Sequence, residues 1–234
     1  EPAENGKWRI AFTDDAGVDA ACFLNRLVNQ SKVTQTNILC DLSDTDDDMM
    51  SGRACFAWGT VANADAKKVK QYGLETTDFT QMCMPVKDSS ITNPALAGGE
   101  VITFNPKCDK ETLKAAFDVM TFMYYDEEYQ KIKWQASFDN GSCDIYIPAR
   151  KDLYEEKLAM NPLLTDEARE NIKQQAEVSK PEPYCEHWGD LKSQLVVPLQ
   201  KIYSMPNLSR DDIKKILSDC ADELCKLYPD TFVR

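Results

Sequence analysis

Apolar residues near both ends of the chain recur every three or four positions, the spacing of an amphipathic helix. The first such stretch predicts a helix over residues 13–30, with Thr13 as its N-cap. The last predicts a helix over residues 209–228. It begins at a capping box, because Ser209 is followed three positions later by Asp212. Both predictions join a periodic apolar face to a local start signal.

Further helical stretches fill much of the remaining chain. Three follow residues that can cap a helix, namely Asp109, Asp126 and Thr165. Residues 61–72 predict a helix that is terminated by the following Gly73. Residues 191–203 predict another helix, in which Pro198 is expected to introduce a kink.

Short apolar or alternating runs between these helices predict strands. They lie at residues 8–12, 54–58, 79–86 and 101–104, and residues 145–148 are expected to be extended. Because short strands separated by helices are typical of mixed architectures, we expect a helix-rich α/β domain without internal repeats.

The charge balance excludes some classes of partner. The 234 residues include 27 basic and 39 acidic side chains, which gives a net charge of −12. A nucleic-acid-binding protein shows a basic footprint, and docking on an anionic membrane needs one too. No apolar stretch approaches the roughly 18 residues of a membrane span. We therefore expect neither a nucleic-acid partner nor a membrane span.

Histidine and cysteine usage restricts the candidate chemistry. His187 is the single histidine, so a Ser-His-Asp hydrolase would have to use it. The nine cysteines contain no C-x-x-C pair, which disfavours a zinc knuckle. Several fall at apolar helix positions, so buried reduced thiols are favoured, with disulfides as the alternative.

The acidic stretch 41–48 matches part of the pattern of a calcium-binding EF-hand loop. Counted from Asp44, positions 1, 3 and 5 are acidic, as such a loop requires. Position 6 is Met49 instead of glycine, and position 12 is Cys55 instead of glutamate. The loop therefore lacks its turn residue and its bidentate ligand, and no metal site is expected.

Six motifs occur in an order that resembles the extracellular solute-binding proteins of bacterial ABC importers, in the carbohydrate-binding group. They are Met49–Gly59, Phe79–Pro85, Gly98–Ile102, the helix pair Lys110–Gln130, Ile147–Arg150 and the C-terminal helices of Tyr184–Tyr228. The first motif differs from the family pattern at Arg53, where lysine is usual, and at Cys55 and Phe56, where alanine and methionine are usual.

The resemblance implies a helix-rich, periplasmic-binding-protein-like (type II) lobe with a small mixed sheet. Residues 1–92 would form the first part of the C-terminal lobe, and 93–149 a crossover strand and helix pair. Residues 150–234 would complete the lobe with helices. No segment of this sequence matches the N-terminal lobe of the family, so we expect that lobe, with its lipid anchor, to be missing here.

The function implied is binding a sugar or oligosaccharide in a cleft between two lobes, for import by a membrane permease. Such a protein is extracellular or anchored at the cell surface, catalyses nothing and needs no cofactor. Two alternatives remain open. One is a glycoside hydrolase that uses a pair of carboxylates. The other is a non-catalytic interaction domain that presents its C-terminal helices.

The resemblance also implies ligand-binding residues, each with a structural alternative. Trp58 would stack on a sugar ring, or belong to the core beside Phe56. Gly98 and Gly99 would expose backbone at the cleft, or form a turn before a strand. Arg150 would line the cleft, or make a surface ion pair. Trp188 would offer an aromatic face, or pack between helices.

Overall fold

A computed structural model of the protein describes residues 1–3, 6–35, 42–57, 66–92, 95–99 and 101–234. The helices are α1 (Asp15–Arg26), α2 (Leu42–Met50), α3 (Ala66–Gln71), α4 (Lys110–Tyr125), α5 (Glu127–Asp139), α6 (Tyr154–Met160), α7 (Asp166–Val178), α8 (Trp188–Ser204) and α9 (Arg210–Leu227). The strands are β1 (Trp8–Arg9), β2 (Leu96–Ala97), β3 (Lys180–Pro181) and β4 (Phe232–Val233). Short turns of π-helix or 3₁₀-helix lie at Leu27–Ser31, Thr76–Asp78 and Lys151–Leu153.

The strands form two parallel pairs. β1 pairs with β4, and β2 pairs with β3. The chain divides into two compact units, of which the first contains residues 1–40 and 183–234 and the second contains residues 41–182. The helix-rich α/β class predicted from the sequence is confirmed. The three segments expected from the resemblance stay a prediction.

The first unit is built around α1, α8 and α9, which pack against one another. Their apolar faces bury two clusters, formed by Val18, Ala21, Ile202, Ile213 and Leu217 and by Ile10, Leu191, Ala221, Leu224 and Phe232. Gly17 lies in α1 against the backbone of Phe12, because a Cβ built there would lie 2.3 Å from the Phe12 carbonyl oxygen. This glycine therefore permits a close approach of two backbone segments.

The second unit has its largest buried cluster between α6, α7 and the segment before them. The cluster contains Cys143, Ile145, Leu158, Leu164, Ala168 and Ile172. Arg169 of α7 closes the end of α6, donating to the carbonyls of Leu158 (3.0 Å) and Asn161 (2.8 Å). Orphan carbonyls at a helix end need such partners, so this side chain joins the two helices.

Most helix predictions that rest on caps are confirmed. Asp109 accepts from the Thr112 amide, Thr165 from the Ala168 amide, and Ser209 forms the predicted capping box with Asp212. The first helix begins one residue later than predicted, because its N-cap is Asp14 and not Thr13. The predicted start of the helix before Gly73 lies in 61–65, outside the described residues.

Most strand predictions are wrong. β1 keeps only two residues of the run 8–12, and residues 54–57, 79–86 and 101–104 contain no strand. In 79–86 the backbone bonds to side chains of α7: the Met84 amide donates to Gln175 and the Gln81 carbonyl accepts from Asn171. Phe56 and Val101 are 82% and 86% exposed, so their runs lack the burial that a strand would need.

The thiol prediction is confirmed in part. Among the residues that the structure describes, eight cysteines are free thiols. Cys143 is buried, but Cys55 and Cys108 are exposed, so the expectation of burial does not hold for them. Cys40 lies outside the described residues.

Candidate functional site

The junction of α4 and α5 fixes the frame of the site. Asp126 caps α5 by accepting from the Tyr129 amide at 2.8 Å. The side chain of Gln130, which is buried, donates to the carbonyl of Met123 in the last turn of α4. The first turn of α5 is therefore held at a set angle to α4, and Glu127 is presented at the surface.

Arg150 lies beside this turn and bonds to carboxylates on two sides. Its Nη2 and Nε atoms bond to the two oxygens of Asp152 at 2.5 and 3.2 Å. Nη2 also lies 3.5 Å from Glu127 Oε2, and Nη1 donates to the Tyr125 carbonyl at 3.4 Å. Such fork-like pairing orients the guanidinium as well as binding it.

Lys131 extends the arrangement by one helical turn. Its Nζ atom lies 2.8 Å from Glu127 Oε1 and 2.8 Å from Glu156 Oε1 of α6. We call these five residues, Glu127, Lys131, Arg150, Asp152 and Glu156, the Arg150 network. It connects α5, the 3₁₀ turn that follows Arg150, and α6.

The network lowers the pKa of two of its carboxylates, Glu127 and Asp152. The hydrogen bond from Lys131 holds the pKa of Glu127 below its ordinary value, and the nearby charges of Lys131 and Arg150 act in the same direction. The hydrogen bond from Arg150 likewise lowers the pKa of Asp152. Because both carboxylates are well exposed, they can also accept hydrogen bonds from a ligand.

A shallow depression of about 400 Å³ lies on the same turn of α5. Its lining is Glu127, Glu128, Lys131 and Ile132. Ile132 is 62% exposed and supplies an apolar wall beside the charged groups. The depression therefore combines an apolar contact with hydrogen-bonding groups of both signs.

A buried lysine braces the chain that leads to Arg150. Lys157 of α6 is 3% exposed, and its Nζ donates to Asp144 Oδ1 at 2.7 Å and to the Tyr146 carbonyl at 2.8 Å. The ammonium also lies 5.6 Å from the centre of the Trp134 ring. Burial lowers the pKa of Lys157, and the bond to Asp144 opposes that shift. This contact fixes the irregular segment 143–148, the last residues of which precede Arg150.

The remaining candidate residues lie apart from this network along the chain. Gly98 and Gly99 follow β2 and are exposed, and a Cβ at either position would meet no atom of the described residues within 4 Å. Neither glycine is needed for a close approach within that part of the chain. Trp58 lies outside the described residues.

Trp188 belongs to the first unit, where it begins α8. It is half-buried and packs against the cluster that contains Leu191 and Phe232. The neighbouring His187 has a left-handed backbone (φ 60°), pairs with Asp190 at 2.9 Å and stacks on Tyr228 at 4.1 Å. This environment matches the helix-packing alternative for Trp188.

The sequence pattern indicated Arg150 as a candidate but did not indicate its partners Glu127 and Asp152. The spacing of Glu127 and Lys131 by four positions was a usable signal, because such pairs meet on one helix face. Glu156 and Asp152 carried no comparable signal, since their contacts depend on how the turn after Arg150 folds. The network is therefore a product of tertiary structure.

The described residues contain neither a metal-binding cluster nor a helix that could span a membrane. They contain no group of three or more His, Cys, Asp or Glu side chains arranged to hold a metal ion. Among them, no helix has both the length and the apolar character that crossing a membrane requires. The chain matches no protein-family model, and no characterised protein matches it.

Proposed function

We propose that this chain is part of an extracellular solute-binding protein, with a periplasmic-binding-protein-like (type II) lobe that takes a sugar or oligosaccharide at the Arg150 network. Arg150 makes the surface ion pairs that were given above as its structural alternative, and the observation that carries the proposal is the depression that its partner Glu127 lines with Lys131 and Ile132. The helix pair α4 and α5 is also present where the resemblance to that family expects one.

The charges of the site favour a neutral ligand. Two cations face four carboxylates, so the site carries an excess of negative charge. The cations are Lys131 and Arg150, and the carboxylates are Glu127, Glu128, Asp152 and Glu156. A carboxylate or phosphate ligand would be repelled by that excess. Hydroxyl groups can donate to the carboxylates and accept from the cations, and Ile132 can contact the apolar face of a sugar ring.

The same electrostatics favours binding over hydrolysis. A glycosidase with two carboxylates needs one of them protonated, which requires a raised pKa. The pKa values of Glu127 and Asp152 are instead both lowered by their cationic partners. Their cationic partners thus disfavour the protonated form that a general acid needs, and the pair favours recognition over glycosidic cleavage.

The wider proposal follows the resemblance. The ligand would be passed to the membrane permease of an ABC importer, and the protein would act outside the cell, held at the cell surface by a lipid anchor. Closure of two lobes over the ligand is the motion that such proteins use.

Thermal unfolding with a sugar panel tests the proposal. The panel contains glucose, galactose, maltose, cellobiose and xylobiose, with citrate and phosphate as anionic comparisons. A bound ligand at about 100 times its dissociation constant should add about 2.7 kcal/mol to the free energy of unfolding, a shift of a few degrees. We expect such a shift with at least one neutral sugar and with neither anion.

A matched pair of variants localises the binding. Arg150→Ala should abolish the sugar-induced shift. Arg210→Ala removes an arginine that also bonds two carboxylates, Asp15 and Asp19, but in the first unit, and should keep the shift. If no sugar raises the melting temperature, or if Arg150→Ala responds like the unmodified protein, the proposed site is wrong.

A further inference from the structure

One carboxylate of the proposed sugar site differs from the others in its contacts. Glu128 lines the depression together with Glu127, Lys131 and Ile132. It is exposed in the first turn of α5, and no described residue forms a hydrogen bond or an ion pair with it. The adjacent Glu127 is instead held by Lys131 at 2.8 Å and by Arg150 at 3.5 Å. Of these two glutamates, the first belongs to the Arg150 network and the second is available to a ligand.

The nearest cation on the same helix is bound to other carboxylates. Lys131 follows Glu128 by three positions, a spacing at which side chains meet on a helix. The Lys131 Nζ atom nevertheless lies 2.8 Å from Glu127 Oε1 and 2.8 Å from Glu156 Oε1. The fold thus directs this ammonium away from Glu128. The depression therefore contains a negative charge that no described side chain pairs with.

An apolar wall lies beside this carboxylate. Ile132 follows Glu128 by four positions, so the two side chains share one face of α5, with their Cβ atoms about 5–6 Å apart. Ile132 is 62% exposed and can contact the apolar face of a sugar ring. A ring that lies on Ile132 brings a substituent at its edge within reach of Glu128. An acidic surface alone would lack this contact for the ring.

The charge of the site then selects the substituent. Four carboxylates face two cations, which leaves an excess of two negative charges around the depression. The excess that repels an anionic ligand attracts a cation. A hydroxyl group can donate a hydrogen bond to Glu128, whereas a protonated amine donates hydrogen bonds and also forms an ion pair. An amine on the ring is therefore a better match to Glu128 than the hydroxyl group that it replaces.

We infer that the ligand of this site is an amino sugar, with its ring on Ile132 and its protonated amine paired with Glu128. The inference rests on the proposed sugar-binding function and adds the class of sugar. Because Glu128 is exposed, the amine should tighten binding by about fivefold, the upper end of what an exposed ion pair contributes. Salt screens exposed charges, so the difference should disappear at high ionic strength.

Matched sugars test the inference on the unmodified protein. Glucose and galactose are each compared with their 2-amino and N-acetylamino forms, and cellobiose with the corresponding disaccharides of glucosamine and N-acetylglucosamine. The melting temperature is followed as each sugar is titrated at about pH 6, where an amine is protonated, and the titration gives each dissociation constant. We expect at least one amino form to bind about fivefold more tightly than both of its neutral counterparts in about 20 mM salt, and equally in about 500 mM salt.

The outcomes separate this inference from the proposed function. If the neutral sugars bind as tightly as their amino forms, the amino-sugar class is wrong while the sugar site stands. If no sugar binds, whether amino or neutral, both are wrong. If putrescine, a diamine without a ring, binds as tightly as glucosamine, the site holds any organic cation and the inference is overturned.

Two matched variants then assign the amine to Glu128. Glu128→Gln keeps the size of the side chain and removes its charge, so an amino sugar and its neutral counterpart should bind this variant equally, whatever their common affinity. Glu111→Gln is the control, because Glu111 is also exposed in the first turn of a helix that an aspartate caps, α4. It should keep the about fivefold preference for the amine. A preference that survives in Glu128→Gln overturns the inference, and the salt series on the unmodified protein decides it if that variant does not fold.

Discussion

The buried ammonium of Lys157 allows a prediction whose direction depends on which partner is removed. Asp144→Ala would leave a charge that is 3% exposed without its carboxylate. Breaking a buried pair in this way costs about 3–5 kcal/mol. Lys157→Met keeps the length of the side chain and removes the charge. Asp144 is itself 22% exposed, so water can replace its lost partner. The expected loss is therefore smaller, about 1 kcal/mol.

The double variant gives the sharper result. Asp144→Ala with Lys157→Met contains no buried charge, so its free energy of unfolding should exceed that of Asp144→Ala alone by about 2 kcal/mol. Urea unfolding followed by circular dichroism measures all four proteins. Asp219→Ala, which breaks an exposed pair with Lys215, is the control and should cause no measurable change. The reasoning is refuted if Asp144→Ala is no less stable than Lys157→Met.

The pH dependence of the same proteins adds a second check. Because burial lowers the pKa of Lys157 below its ordinary value of 10.5, the unfolded chain binds more protons between those two values. The contribution of Lys157 to the free energy of unfolding therefore rises with pH through that window. Buried thiols titrate in the same range, so the quantity to measure is the unmodified protein minus Lys157→Met. That difference should grow from neutral pH to pH 10.5. A difference that is flat or falling with pH would contradict the argument.

Three further predictions concern the fold. Gly17→Ala should lower the free energy of unfolding by about 1–3 kcal/mol in the same urea assay, because the backbone clash outweighs a gain of about 1 kcal/mol in helix propensity. Gly98→Ala is the control and should leave the free energy of unfolding unchanged, since a Cβ there would meet no described atom within 4 Å. Ser209→Ala should cost about 1 kcal/mol through loss of the cap of α9, and a thermal scan that shows no loss would contradict the role of that cap. In the native protein Cys143 should resist alkylation by iodoacetamide, because burial raises the pKa of its thiol, whereas the exposed Cys55 should react. Mass spectrometry of the peptides measures the alkylation of each cysteine.

Elements that start from a local signal could be predicted from the sequence. Asp109, Thr165 and Ser209 each satisfy a backbone amide within three residues, so the start of the helix depends on neighbours that the sequence already shows. The predicted strand 79–86 depended on a partner far away in the chain. The partners turned out to be amide side chains of α7, which no periodic pattern indicates.

The candidate site shows the same division. The pair of Glu127 and Lys131 lies on one helix face and is visible in the spacing. The approach of Arg150 to Glu127 spans 23 positions and requires both the fixed junction of α4 with α5 and the brace at Lys157. A lysine in an acidic stretch gives no sign that it will be buried, so that brace could not be foreseen.

The discontinuous first unit has a consequence for the order of folding. Its strand β1 pairs with β4, and α1 packs on α9, so its contacts join residues that are about two hundred positions apart. The second unit is one continuous stretch, residues 41–182. As the chain leaves the ribosome, the continuous unit can fold before α8 and α9, the helices that pack on α1, have been synthesised. Contacts of such long sequence separation are slow to form, because loop closure must precede them. The hydrophobic face of α1 is thus exposed during synthesis until residues 183–234 emerge, and it is the surface that a chaperone would protect.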